Sequence, residues 1–120
     1  MAKIMLVEDE VITAMGMTVE LQSLGYDVCR PVATGEAALQ GAAVEKPDAV
    51  IMDVNLHGAL SGIEAARQIW SRFAVPVLFI SGNADADTIA ALRREGFAHY
   101  LLKPVSIQEV KKVLDELLCH

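Results

Sequence analysis

Four short apolar runs in this 120-residue chain each stop at a side chain suited to handling phosphate or a hard cation. Glu8-Asp9-Glu10 follow the run Lys3–Val7, and Asp53 ends Ala49-Val50-Ile51-Met52. Ser81 ends Val75–Ile80, and Lys103 follows Ala98–Leu102. Brought together, the carboxylates would repel one another, each ionised neighbour disfavouring the next, unless a positive charge holds them. Oxygen donors of this kind favour Mg²⁺ over softer metals, and Lys103 would bring a second positive charge. Each residue alone has an ordinary explanation: acids after a strand cap a helix, Ser81-Gly82 is a turn, Lys103-Pro104 a charged loop. Their joint placement, each at the end of a different run, is what argues for one site.

The elements that must position them follow from the hydrophobic pattern. Lys3–Val7 reads as a buried strand. From Glu10 to Leu24 the positions Val11, Ile12, Met15, Val19 and Leu24 form a helical stripe closed by Gly25. Tyr26–Val32 reads as a second strand, placed at a sheet edge because Pro31 interrupts it. Thr34 caps a helix carrying Ala37, Ala38, Leu39 and Val44 that ends at Lys46-Pro47. Ala49–Met52 is a third strand, and Ser61-Gly62-Ile63-Glu64 is a capping box opening a helix toward Trp70. Val75–Ile80 is a strand, Asp85–Glu95 a helix stopped by Gly96, and Ala98–Leu102 the last strand. A second capping box, Ser106-Ile107-Gln108-Glu109, opens a helix with Val110, Val113, Leu114, Leu117 and Leu118 facing the core. Five strand–helix alternations with unbroken apolar strands predict an α/β fold: a doubly wound parallel sheet covered by helices on both faces. In such sheets, ligands bind at the carboxyl ends of the strands, where the four polar sites would meet.

Composition agrees. The chain has one domain's length, and 53% hydrophobic against 22% charged residues excludes wholesale disorder. With only 5% aromatics the core must be aliphatic, and a net charge of −6 argues against a nucleic-acid partner. No apolar stretch reaches the roughly 18 residues of a membrane span, and the apolar start is too short for a signal peptide, so a cytoplasmic protein is expected. Cys29 and Cys119 form no CxxC pair and read as reduced thiols. His57, His99 and His120 lack zinc-ligand spacing. Met15 and Met17 read as helix packing, and Trp70 as a helix residue away from the site.

In this order — acid pair, central Asp, hydroxyl, aromatic, Lys-Pro — the residues resemble the receiver domains of two-component response regulators, over essentially the whole chain. The resemblance implies a flavodoxin-like receiver fold of five parallel strands in order 2-1-3-4-5 with five helices, residues 1–120 forming a single stand-alone receiver. It implies that Asp53 accepts a phosphoryl group from a histidine kinase or a histidine phosphotransfer protein. Mg²⁺ would be bound by Asp9, Asp53 and the backbone carbonyl of Asn55, with Glu8 acting through water. Ser81 and Lys103 would contact the phosphoryl oxygens, and the Lys103-Pro104 peptide would be cis. Ser81 and Tyr100 would form the switch, turning the face of the fourth helix, fifth strand and fifth helix toward a downstream target protein. The implied protein is a signalling acceptor, not an enzyme, acting as a monomer or weak homodimer.

The sequence departs from the family pattern in several places. Glu8 stands for the more frequent Asp, Ser81 for Thr, and Val105 for a frequent aromatic. The stretch Val54–Gly62 lacks Met-Pro and is about one residue longer than usual. Phe79-Ile80-Ser81-Gly82 partly resembles the family's Phe-Ala-Thr-Gly variant, which Asn83 and Ala84 then break. Three other readings compete. An aspartate-nucleophile phosphatase would need an acid two residues after Asp53, where Asn55 stands and cannot carry a proton in that role. A flavodoxin-type flavin module would need a Gly- and hydroxyl-rich loop where Glu8-Asp9-Glu10 would repel phosphate. A receiver-like interaction module that takes no phosphate keeps every feature above.

Overall fold

Alternating strands and helices wind into one parallel sheet in the order β2-β1-β3-β4-β5, as the resemblance implies. The computed structural model describes residues 2–54, 61–82, 86–94, 96 and 98–119. The strands are β1 (Lys3–Val7), β2 (Asp27–Val28), β3 (Ala49–Asp53), β4 (Val77–Ser81) and β5 (Ala98–Leu102). Between them run α1 (Val11–Ser23), α2 (Gly35–Glu45), α3 (Gly62–Phe73) and α4 (Ala86–Arg94), and α5 (Ile107–Leu118) follows β5. Two apolar cores sandwich the sheet. Met5, Val7, Val50, Met52, Val77 and Phe79 face α2 and α3, while Ile4, Leu6, Ile51, Leu78 and Ile80 face α1 and α5. This alternation within runs that are apolar throughout is what a strand buried on both faces requires. Each fully buried Ile, Leu or Phe contributes roughly 1.5–3 kcal/mol.

Local chemistry sets the helix ends. Thr34 Oγ1 accepts the Ala37 N–H at 3.1 Å, and Lys46 closes α2 in the left-handed conformation at φ 51°. Ser61 Oγ accepts the Glu64 N–H at 3.2 Å, while the Glu64 carboxylate lies 3.4 Å from Arg67. The capping box at Ser106 is complete: Glu109 N–H donates to Ser106 Oγ at 3.1 Å, and Ser106 N–H donates to the Glu109 carboxylate at 3.2 Å. Gly25, at φ 95°, turns the chain out of α1.

Several expectations need correction. The stripe on α1 faces the wrong way: Val11, Ile12, Met15 and Val19 are exposed, Ile12 by 86%. The buried positions are Ala14 and Leu21, with Met17 and Leu24 packed at the margin. Both faces of α1 carry apolar residues at helical spacing, and tertiary packing covers the Ala14–Met17–Leu21 face. Val44 on α2 is likewise exposed, leaving Ala38 and Ala42 as the packing face. The second strand is only Asp27–Val28. Tyr26 N–H instead donates to Leu21 at the end of α1, and pairing with β1 resumes as a lone bridge between Val32 and Val7 beyond Arg30-Pro31. Its edge position is as expected. The fourth strand begins at Val77 and includes Ser81. At the opposite edge, β5 is only half-buried, and His99 is exposed. Asp85, Glu95, His57 and His120 lie outside the described residues, as do Asn83 and Ala84. Cys29 is buried and Cys119 exposed, both as free thiols.

Candidate functional site

Strand register levels the ends of β1, β3 and β4. Val7 pairs with Met52, so Glu8 and Asp53 leave the sheet side by side. Asp53 pairs with Ile80 and Ser81 with Leu102, which carries Ser81 and Lys103 one step further along the same edge. The Lys103 N–H donates to the Ser81 carbonyl at 2.8 Å, tying the two strand ends together, and the peptide from Lys103 to Pro104 is cis.

Carboxylate oxygens of Glu8, Asp9 and Asp53 all lie within 4.8 Å of one another, each residue half-buried. Glu8 and Asp53 also flank, with Lys103, Thr13, Met17 and Ile80, a small crevice at the strand ends. Glu8 shows the strain of this crowding: its carboxyl is pushed up, first by burial and further by the Asp53 charge and a hydrogen bond with Asp9. The Glu10 N–H, donating to Glu8 Oε1 at 3.1 Å, and the Lys103 charge pull it back. Three oxygen donors this close, of hard chemistry and with water access, fit Mg²⁺, which takes one or two carboxylates and keeps several waters. Asn55, expected to add its carbonyl, lies outside the described residues.

Ser81 is 1% exposed and is the buried polar residue of the described core. Tyr100 pairs with Phe79 across β4 and β5, its ring half-buried against the core on the α2–α3 side. Its hydroxyl is buried without a hydrogen-bond partner among the described residues. An unmade bond of this kind costs about 1–3 kcal/mol, which a second arrangement of the ring could recover.

Two neighbours of the site were not legible as such. Thr13 reaches the crevice one helical turn after Asp9, a spacing that α1's own periodicity supplies. Gly62 reads in the sequence as part of a cap, yet its Cα lies against the backbone of Asp53 and Val54. The only sequence signal was a glycine in a helical first turn that has no need of one.

The profile of the response regulator receiver domain matches residues 4–115. Among curated proteins, the transcriptional regulatory protein PdtaR of Mycobacterium tuberculosis (strain CDC 1551 / Oshkosh) is 32% identical over 108 residues; the match takes in 90% of this chain but 52% of that protein, about half its length. Protein PilH of Pseudomonas aeruginosa is 30% identical over 121 residues, covering 98% of each chain. Among solved structures, the receiver domain of sensor histidine kinase PA1611 from Pseudomonas aeruginosa, with magnesium coordinated in its active-site cleft, superposes with a TM-score of 0.85. It is 30% identical and covers 99% of this chain and 98% of its own.

Proposed function

Because the chain belongs to the family of response regulator receiver domains, we propose that its 120 residues act as one phosphoacceptor domain in the cytoplasm, with Asp53 taking a phosphoryl group from a histidine kinase or histidine phosphotransfer protein. The observation that carries this reading is the meeting of Glu8, Asp9 and Asp53 within 4.8 Å at the ends of β1 and β3, with Lys103 on the same crevice. An Asp53 carboxylate oxygen attacks phosphorus and a P–O bond forms. The bond from phosphorus to the donor imidazole nitrogen breaks, and that nitrogen keeps the electron pair. Phosphoryl transfer needs positioning and charge neutralisation more than covalent help from other side chains. Asp9 and Asp53 would hold Mg²⁺ directly and Glu8 through water; when bound, the ion offsets the carboxylate charge and draws phosphoryl oxygens toward Asp53. Lys103 meets the arriving negative charge with an ammonium, and Ser81 offers a hydroxyl donor.

Val11, Ile12 and Met15 present an exposed apolar face that begins two residues after Asp9, and Val19 extends it. That face suits a protein donor, which must seat itself beside the acids. On the opposite edge, Ser81 moving toward a phosphoryl oxygen vacates space that Tyr100 can turn into, pairing its stranded hydroxyl and shifting the α4–β5–α5 face between two packings. Leu102, 55% exposed at the end of β5, lies on that face for a downstream target.

The test is intact mass after incubation with acetyl phosphate and Mg²⁺, beside Asp53→Asn and EDTA controls. One added phosphoryl group, absent from both controls, supports the reading. An unmodified protein that also fails to bind beryllofluoride would leave an interaction module that takes no phosphate.

A further inference from the structure

The start of α3 meets the end of β3 backbone to backbone. A Cβ added at Gly62 would lie 2.8 Å from the Asp53 carbonyl oxygen and 3.0 Å from that of Val54. Real side-chain carbons do not approach that closely, and neither oxygen belongs to a flexible side chain that could swing aside. The helix cannot retreat either. Gly62 is itself buried, and Ala65, Ala66 and Ile69 on the same face are buried in the core under the sheet, where close packing resists a shift. Backbone conformation does not explain the glycine, since Gly25 is the described glycine with positive φ.

We propose that Gly62 is a positioning residue for Asp53: having no side chain, it lets the first turn of α3 sit directly on the Asp53 and Val54 carbonyls and thereby fixes the peptide that carries the acceptor carboxylate. The inference rests on the reading of Asp53 as acceptor. Ser61 only caps the helix, its Oγ accepting the Glu64 N–H at 3.2 Å, and makes no part of this contact. A methyl at position 62 forces the two carbonyls away by several tenths of an ångström, and the Asp53 carboxylate moves with its own backbone. A misplacement of about 1 Å can cost a reaction roughly 100-fold, so a shift of half that corresponds to roughly tenfold.

The experiment compares Gly62→Ala with two controls. Ser61→Ala removes the helix cap but adds no atom near Asp53. Gly16→Ala adds a methyl to α1 where nothing lies within 4 Å. Circular dichroism reports folding, calorimetry reports Mg²⁺ affinity, and a time course with saturating acetyl phosphate reports the phosphorylation rate. Gly62→Ala is expected to stay folded, phosphorylate roughly tenfold more slowly and bind Mg²⁺ several-fold more weakly. Both controls should keep wild-type rate and affinity, even where Ser61→Ala loses more thermal stability. A wild-type rate and affinity in Gly62→Ala would overturn the inference, as would an equal loss in Ser61→Ala. So would a Gly62→Ala protein that does not fold, which would make the glycine a requirement of the fold and not of the site. If the wild-type protein takes no phosphoryl group, the acceptor reading fails, and the Mg²⁺ affinity of Gly62→Ala against wild type still decides whether Gly62 positions the acids.

Discussion

Asp53→Asn should make the metal-free protein more stable, although it removes the residue on which the proposed chemistry depends. Glu8, Asp9 and Asp53 hold oxygens within 4.8 Å of one another. At that separation two unit charges repel by about 0.9 kcal/mol in water and about 3.5 kcal/mol at an effective dielectric of 20. All three acids are half-exposed, so the lower part of this range applies. The substitution removes two such repulsions and weakens one attraction, to Lys103 on the same crevice. The net gain is then of the order of one pair, about 1–2 kcal/mol, or roughly 3–8 °C in Tm for a chain this size. Saturation with Mg²⁺ narrows the difference. A cation tenfold above its Kd stabilises the wild type by about 1.4 kcal/mol, while Asp53→Asn, with one carboxylate fewer, gains less. Thermal unfolding followed at 222 nm, in EDTA and across a Mg²⁺ series, reads both effects. An Asp53→Asn protein less stable than wild type in EDTA, or equally stabilised by Mg²⁺, would refute the reasoning.

Other parts of the molecule carry their own expectations. Ile12→Lys on the exposed face of α1 should slow phosphotransfer from a protein donor roughly tenfold, the loss of one interface anchor. It should leave acetyl phosphate labelling and Tm unchanged, and equal slowing with both donors would contradict the docking role. The Tyr26 hydroxyl, donating to Asp115 Oδ1 at 2.8 Å, is pushed from 10.0 up to about 12, first by burial and then by Asp115. Its folded value lies above its unfolded one, so it contributes stability in full below pH 10 that is lost as pH rises toward 12. Urea unfolding of Tyr26→Phe should therefore fall less steeply than wild type across that window. The decline caused by the buried Cys29 thiol, also pushed up chiefly by burial, should remain in both proteins; parallel curves would remove Tyr26 as the cause.

Strands were the most legible part of the fold. Runs such as Val50-Ile51-Met52 and Val77–Ile80 are apolar at every position because both faces are covered, and each ends where the chain leaves the core. That abruptness is also why the sequence places the acids, Ser81 and Lys103 along one edge. The face of α1 was not legible. Val11, Ile12, Met15 and Val19 make as good a stripe as Ala14, Met17 and Leu21, and only tertiary packing decides which is covered. In β2, ladder bonds at Cys29 and Val32 skip Arg30-Pro31, so pattern alone overstated its length. The seat of Gly62 on Asp53 is a contact between residues nine apart through a helix–strand junction, and no local pattern encodes it.

The central claim is that Asp53 itself carries the phosphoryl group. Labelling with acetyl phosphate and Mg²⁺, reducing the acyl phosphate with borohydride and mapping peptides by mass reads this directly. Conversion of Asp53 to homoserine, with Glu8 and Asp9 unaltered, is the predicted result. Reduction at another carboxylate, or at none in a protein shown to be labelled, would contradict it.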